Sequence, residues 1–373
     1  MTIIEVNNWK LKKQFIDFPH DLYEGDPNYV PEVFLAQKDL MDEQKNPFFQ
    51  HSSVQLFLAK KGDKIVGRIA AIHNRNYNKF IGNGTKGFFG FFDVIEDYEV
   101  AKLLLNTACD WVKKEGLNAI LGPTNFSTND TAGLLVDGFD CPPVVSMTYN
   151  KPYYQVFLER FGFQKSMDML AYHGTQAEAN LKAIQLLGKL EERIANRGIT
   201  VRSLNKKKYW EEISKIEKVY TQAWDKNWGF VPPTSAEFKH LGADLKMIAD
   251  PDLVLLAEKD GEVIGFVGAI PDMNMVLKNV KRGRLFPFGI FKILFGKRKI
   301  TRIRVLLLGV LEEYRRMGIE SVLYGKVVAN AFAKNYTQGE ASWILDNNEM
   351  MKRGVENINM KPYKRYRIYE KAI

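Results

Sequence analysis

The sequence predicts a mixed α/β protein built from two similar halves. An internal repeat, the same succession of strands and helices in each half, and an ordinary globular composition lead to that fold class. The repeat comes first because it decides the architecture. Residues 58–72 (LAKKGDKIVGRIAAI) and 256–270 (LAEKDGEVIGFVGAI) align without a gap at an offset of 198, with six of 15 positions identical. Each copy is an apolar strand, a polar turn and a second apolar strand. Gly62-Asp63 and Asp260-Gly261 suit tight hairpin turns, since Gly and to a lesser degree Asp tolerate positive φ. Tyr29-Val30-Pro31 has a counterpart in Phe230-Val231-Pro232 at nearly the same offset. Two matched landmarks in one order favour a duplicated domain over a chance likeness of hairpins.

The remaining elements follow in order. In the first half, Gly87 to Val94 is an apolar strand, and Val100, Leu103, Leu104, Ala108, Trp111 and Val112 recur at helical spacing. Asn118 to Leu121 is a strand, and Tyr153 to Arg160 a helix that ends at Phe161-Gly162-Phe163. Between the halves, Gln176 to Asn196 is a helix with Leu181, Ile184, Leu187 and Leu190 on one side. In the second half, Ile303 to Val310 is a strand, and Ile319, Val322, Leu323, Val327, Ala331 and Phe332 form a helical stripe. Ala341 to Leu345 and Tyr363 to Tyr369 are strands. Each half thus reads as hairpin, strand, helix, strand, helix.

Composition narrows the function. The 373 residues carry a formal charge of +9, with 46% hydrophobic and 26% charged residues, which excludes a disordered or fibrous protein. No apolar run reaches the ~20 residues that span a bilayer, and the first fifteen residues lack a signal-peptide core. Two cysteines, Cys109 and Cys141, suit a reducing compartment and leave no Cys-based zinc site. A cytoplasmic protein without a metal is the expectation. His20, His51, His73, His173 and His240 show no hydrolase or metal-ligand spacing.

Leu308 to Tyr324 (LGVLEEYRRMGIESVLY) runs from an apolar strand through a charged turn into an amphipathic helix. The free N–H groups at such a helix start favour negative charge. Gly318 lets backbone approach a phosphate, and Arg315 and Arg316 supply charge-assisted hydrogen bonds. The turn, following Val310, resembles the acyl-CoA-binding motif Gln/Arg-x-x-Gly-x-Gly/Ala of the GNAT (Gcn5-related) N-acetyltransferases. Trp343-Ile344-Leu345 followed by Asn347-Asn348, and Glu159-Arg160-Phe161-Gly162-Phe163 in the first half, are also similar to that family. The resemblance covers most of both halves and implies two GNAT-like domains in tandem, as in a group of uncharacterised bacterial double-GNAT proteins. It implies a domain over residues 1–173, a linker helix within 174–198, and a domain over 199–373 carrying the acyl-CoA site. It places Arg315, Arg316, Met317, Gly318 and Ile319 on the pyrophosphate loop. Leu308, Gly309 and Val310 fall on the strand that pairs with pantetheine, and Asn348 falls beside the pantetheine arm.

Three positions depart from the family pattern. Glu320 stands where the motif ends in a small residue, Val355 aligns with the tyrosine that often protonates the thiolate, and Arg304 aligns with a glutamate some members carry. In the first half the corresponding turn, Ile95-Glu96-Asp97-Tyr98-Glu99, has neither glycine nor arginine and three acids. That half is expected not to bind CoA.

Acyl transfer to an amine needs a group that accepts the proton of an ammonium whose pKa is near ~10. Glu340 and Asp346 flank Trp343 and are the candidate bases; Asp346 alternatively caps the helix that follows, as Asn347 or Asn348 would. Tyr363, Tyr366 and Tyr369 are either acids or plain strand residues. Arg302, Arg304 and Trp343 are candidate substrate contacts. Residues 278–304 hold ten Lys/Arg and no Asp or Glu around an apolar centre, Leu285 to Phe295. This insertion is a lid over a hydrophobic substrate, an interfacial helix touching a membrane through 284–299, or packing against the other half. No nucleic-acid motif accompanies the charge. The expectation is transfer from acetyl-CoA or a longer acyl-CoA to a small-molecule or peptide amine, in an unknown oligomeric state. The alternative is a catalytically silent double-GNAT protein that binds a ligand or a membrane surface.

Overall fold

The computed structural model describes residues 1–82 and 85–373, and every side chain among them except those at 181, 183, 185 and 188. The side chain of Leu181, one of the apolar positions expected on the linker helix, therefore lies outside the described residues. The first half runs β1 (Thr2–Glu5), α1 (Trp9–Leu22), α2 (Phe34–Leu40), β2 (Ser52–Lys61), β3 (Lys64–Asn74), α3 (Arg75–Ile81), β4 (Lys86–Val94) and α4 (Tyr98–Lys114). It continues with β5 (Ala119–Gly122), the small pair β6 (Thr124–Asn125) and β7 (Thr131–Ala132), β8 (Leu134–Asp137), α5 (Tyr153–Phe161) and β9 (Gln164–Thr175). The second half runs α6 (Leu181–Ala195), β10 (Ile199–Ser203), α7 (Tyr209–Trp224), α8 (Ser235–Lys246), β11 (Val254–Lys259), β12 (Glu262–Pro271), α9 (Asn274–Leu277) and α10 (Gly289–Gly296). It ends with β13 (Arg302–Val310), α11 (Ile319–Ala333), β14 (Gln338–Leu345), α12 (Glu349–Glu356) and β15 (Lys361–Ala372).

The chain forms two compact units, neither continuous in sequence. One comprises residues 1–168, 274–297 and 364–373, the other 169–273 and 298–363. The first unit's sheet has the order β1-β2-β3-β4-β5-β15, with β8 also on β15; the second has β10-β11-β12-β13-β14-β9. In both, the fourth and fifth strands form the parallel pair. Both hairpins carry a bulge at the same repeat position, between Ala59 and Lys60 and between Ala257 and Glu258. Gly62, Asp260 and Gly261 have the positive φ expected of them. The final strand of each repeat completes the other unit: β15 from Lys364 onward belongs to the first unit, where Tyr369–Ala372 pair with β5, and β9 from Met169 onward pairs with β14 in the second.

Four helices, α1, α2, α7 and α8, were not legible from apolar periodicity alone, though two carry start signals. The Asn8 side chain accepts the Leu11 N–H, and Thr234 with Glu237 forms a reciprocal capping box. In the first unit α4 packs Val100, Leu104, Ala108 and Val112 against Ile69, Phe89 and Ile120. In the second, α11 sets Val322, Leu323 and Val327 against Leu255, Val267 and Ile303 on one face of the sheet. On the other face, α7 and α8 set Ile213, Ile216 and Phe238 against Leu256 and Phe266. Each such side chain contributes about 1.5–3 kcal/mol on full burial.

The insertion is seated on the first unit. Arg282 donates to Asp21 at 2.6 Å, and Arg284 donates to Asp17 at 2.7 Å while lying 3.4 Å from the Phe34 ring centroid. These arginines face His20, whose Nδ1 lies 2.9 Å from the Tyr29 hydroxyl. Burial, then Arg282 and Arg68, pull the His20 pKa down to about 4, against a smaller opposing effect of Asp17. A lowered pKa means that the folded state binds fewer protons than the unfolded one between pH 6.5 and 4, so stability falls as pH drops through that window. At pH 5 the wild type is expected to lose about 1 kcal/mol relative to pH 7 from this group, allowing for its partial exposure. His20→Gln should remove that part of the loss, as measured by denaturant unfolding at the two pH values.

Candidate active site

In the second unit β13 and β14 start as neighbours and then part. Their parallel register covers Arg302–Val305 against Gln338–Ala341. On its other side β13 carries a bulge: Gly268 pairs with Leu307 and Ala269 with Val305, which leaves Leu306 looped out. A bulge of this kind bends a strand and re-aims its side chains. The strands therefore open into a fork, and at its root Arg304 stands directly opposite Glu340.

Both side chains are almost fully buried. Arg304 Nε donates to Ser342 Oγ at 3.0 Å, and Ser342 Oγ donates to Glu340 Oε1 at 2.6 Å. The Tyr363 hydroxyl donates to Glu340 Oε2, and Arg304 Nε lies 4.0 Å from Oε1. Burial raises the Glu340 pKa above the usual carboxylate range, while Arg304, Ser342 and Tyr363 hold the rise in check. The Arg304 guanidinium also lies 5.2 Å from the Trp343 ring centroid. Trp343 Nε1 is buried without a hydrogen-bond partner among the described residues. His173, opposite Glu340 on β9, stacks at a tilt on Tyr363, and burial lowers its pKa. Arg302 instead bonds buried Asp272 at 2.8 Å. Four of the predicted residues thus fall into two groups: Glu340, Arg304 and Trp343 together, and Arg302 in an ion pair beside them.

Asp346 lies apart, in the turn after β14, where its carbonyl accepts a bond from Lys352. The cap of α12 is Asn348, whose Oδ1 accepts the Met351 N–H at 3.2 Å.

The loop after β13 reaches α11 through Arg316 (φ +65°) and Gly318 (φ +88°). Gly318 ends the turn in a left-handed conformation that a side chain would strain, and an added Cβ would come within 2.8 Å of Leu190. Arg315 does not reach outward: it donates to the carbonyls of Val310 at 3.2 Å and Ala223 at 2.6 Å, tying the loop to β13 and α7. Arg316 is exposed, whereas Met317 is partly buried and Ile319 fully. Gly318, at the N-cap of α11, brings no side chain to the helix start. The Glu320 carboxyl takes its own backbone N–H there, and burial raises its pKa. Along β13, the Leu308 carbonyl accepts the Trp224 indole N–H at 3.0 Å.

The family model for the acetyltransferase (GNAT) family matches residues 210–352, which span the fork and its loop. Protein YghO of Escherichia coli strain K12 is 36% identical over 97% of this chain and 93% of its own length. A protein of Caulobacter vibrioides named bacterial ceramide synthase is 33% identical over 100% of this chain and 98% of its own. A tandem GNAT protein from the clavulanic acid biosynthesis pathway matches the fold, with a TM-score of 0.60 at 10% identity over 100% of this chain and 98% of that one. The chain belongs to the tandem GNAT family.

The two GNAT units differ at the fork. In the first, β4 and β5 pair only over Lys86–Phe88 with Ala119–Leu121, and the opening beyond is filled by the chain itself. There Asn125 Oδ1 accepts the Phe91 N–H at 2.7 Å. The start of α4 is capped by Asp97, which accepts the Glu99 N–H at 3.0 Å. Its amides therefore already face a carboxylate. The second GNAT unit has an open fork, and on the α7/α8 face of its sheet an apolar groove open to solvent. Tyr209, Ile213, Phe238 and Leu245 wall it from α7 and α8, and Gly268, Ile270 and Leu307 form its floor. Ile270 pairs across the strands with Arg304, so the groove adjoins the buried cluster. An added Cβ at Gly268 would meet nothing within 4 Å.

Sequence reasoning did not single out Ser342, Trp224 or the groove residues. Ser342 carries a recoverable signal, since residues two apart on a strand share a face and Glu340 had been chosen. The groove has none, because its walls and floor come from two helices and two strands that meet only in the folded unit.

Proposed function

We propose that this GNAT protein is an acyl-CoA-dependent N-acyltransferase that joins a long-chain acyl group to an amine, with the second unit as the catalytic one. The observation that carries the reading is Glu340: a buried carboxylate with a raised pKa at the root of the fork. In this role Glu340 accepts the proton of the attacking ammonium, directly or through water. The amine nitrogen then bonds to the thioester carbonyl carbon, the C–S bond breaks, and the proton that the nitrogen sheds on becoming an amide passes to the departing thiolate. Arg304 and Ser342 orient Glu340, and the Trp343 N–H is a donor available to a substrate oxygen. The backbone amides of Ile319 and its neighbours, with Arg316, would hold the pyrophosphate, and the first unit would bind no CoA. Whether this half of the fold binds CoA at all is tested by titration calorimetry with CoA, acetyl-CoA and a long-chain acyl-CoA. One site per chain and turnover with an amine support the reading; no binding at millimolar ligand favours the silent binding protein.

The chain-length assignment rests on the apolar groove and on the name of the Caulobacter relative, since a ceramide is the amide of a long-chain amino alcohol. The Cβ of Gly268→Leu meets nothing within 4 Å, and its side chain takes up space on the floor of the groove. This variant is expected to lower kcat/KM for long-chain substrates at least about 10–200-fold, the range that a single methylene is worth in an apolar pocket, and to spare short ones. A series of acyl-CoAs at fixed amine, and a series of amines at fixed acyl-CoA, identifies whose chain the groove holds. A variant that treats all lengths alike excludes the groove.

A further inference from the structure

We propose that α10 and the loop before it dock this protein on the surface of an anionic lipid bilayer. Among the described residues sixteen large apolar side chains are exposed, and five of them fall within ten residues. They are Phe286 (70% exposed), Phe288 (72%), Phe291 (54%), Leu294 (57%) and Phe295 (72%). At about 100° per residue, Phe288, Phe291, Leu294 and Phe295 fall on about one third of the helix circumference. The opposite side carries Gly289 and Gly296, pressed against Val280 and Val276. The apolar face is therefore turned outward on a firmly seated base and is not a core face left incomplete.

The charge around this face selects the partner. Residues 274–297 contain no Asp or Glu. Lys281, Lys292 and Lys297 are exposed, and Lys292 is held near the helix by a 2.8 Å bond to the Asn279 carbonyl. Of the acids beside the base, Asp17 and Asp21 are engaged by Arg282 and Arg284, and Glu32 accepts a bond from Gln37. Aromatic and leucine side chains on one face with lysines around them match the acyl boundary and headgroup layer of an anionic membrane. A protein partner fits less well. Lysine is depleted in the cores of protein interfaces, whereas here it borders the apolar face. A bilayer demands no complementary shape. Among the described residues no helix is long and apolar enough to cross it, so the contact is peripheral.

Flotation of the full chain with vesicles of phosphatidylcholine containing about 30 mol % phosphatidylglycerol tests this. Binding is expected at low salt, at least about tenfold weaker with pure phosphatidylcholine and in about 0.5 M salt. The variant Phe288→Ser/Phe291→Ser/Phe295→Ser should bind at least about tenfold more weakly with an unchanged thermal midpoint. In Phe291→Trp, added anionic vesicles should shift the emission of the new indole to the blue. Wild type that stays unbound, a triple variant that floats equally well, or a Phe291→Trp spectrum that does not move overturns the proposal. So does a wild-type dimer that the triple variant dissolves without any vesicle binding, which would make the face a contact between copies.

Discussion

Replacing Glu340 by Gln is expected to lower kcat about 10²–10⁴-fold, the range of a lost general base, with KM little changed. The acid limb of the pH–rate profile should vanish with it. That limb should lie above the ordinary carboxylate range in the wild type, because burial raises the Glu340 pKa and the base must be ionised to act. Gln also leaves Arg304 without its buried counter-charge, so lost activity alone is ambiguous. Tyr363→Phe resolves the ambiguity. Its hydroxyl donates to the ionised form of Glu340 and so lowers the pKa; without it the pKa rises and the acid limb moves to higher pH. Above that limb kcat should recover to within a few-fold of wild type. A profile that does not move, measured under saturating substrate, removes Glu340 from the chemistry.

The second large effect is expected at the turn into α11. Gly318→Val places a side chain at φ +88° and against Leu190. The conformational strain alone is about 1–2 kcal/mol, and the amides of the helix start can no longer keep their present line. CoA affinity should fall more than about 100-fold, equivalent to about 2.7 kcal/mol. Arg316→Glu is the milder control, since its side chain is exposed and packs in no core. It should weaken CoA about tenfold at low salt and less at high salt. Glu320→Gln should act in the opposite sense. It removes a carboxylate from the helix start, so CoA should bind several-fold more tightly. Wild-type affinity should rise as pH falls through the raised Glu320 pKa, and the variant's should not. Calorimetry that finds all three variants equal to wild type places the cofactor elsewhere.

The parts legible in the sequence are those governed by neighbours in the chain. Both hairpins, their turn glycines and the amphipathic helices α4 and α11 follow from patterns a few residues long. Gly318 was readable because a strand, a turn and a helix meet there in sequence. The buried cluster was only half readable. Glu340 and Arg304 were each singled out, but their meeting depends on the parallel register of β13 and β14, and Tyr363 comes from a third segment. Arg315 shows the converse. Its residue type and spacing suggested a phosphate contact, yet two backbone carbonyls take its guanidinium. Asp346 and Asn348 divided as capping chemistry allows, with the cap on Asn348. For the basic insertion, three readings were open, and its seat on Asp17, Asp21 and Phe34 could not be foreseen from residues more than 230 positions away.

The exchange of final strands sets a timetable for synthesis. β5 emerges early, but the strand that covers its open edge begins at Lys364, some 240 residues later. At about 5–20 residues per second of translation that edge waits roughly 12 to 50 s. During the wait its unpaired N–H and C=O groups are a template for any extended segment nearby. The nascent chain therefore carries its greatest risk of mispairing in its oldest part, and a premature stop codon shortly before residue 364 would spoil the unit made first.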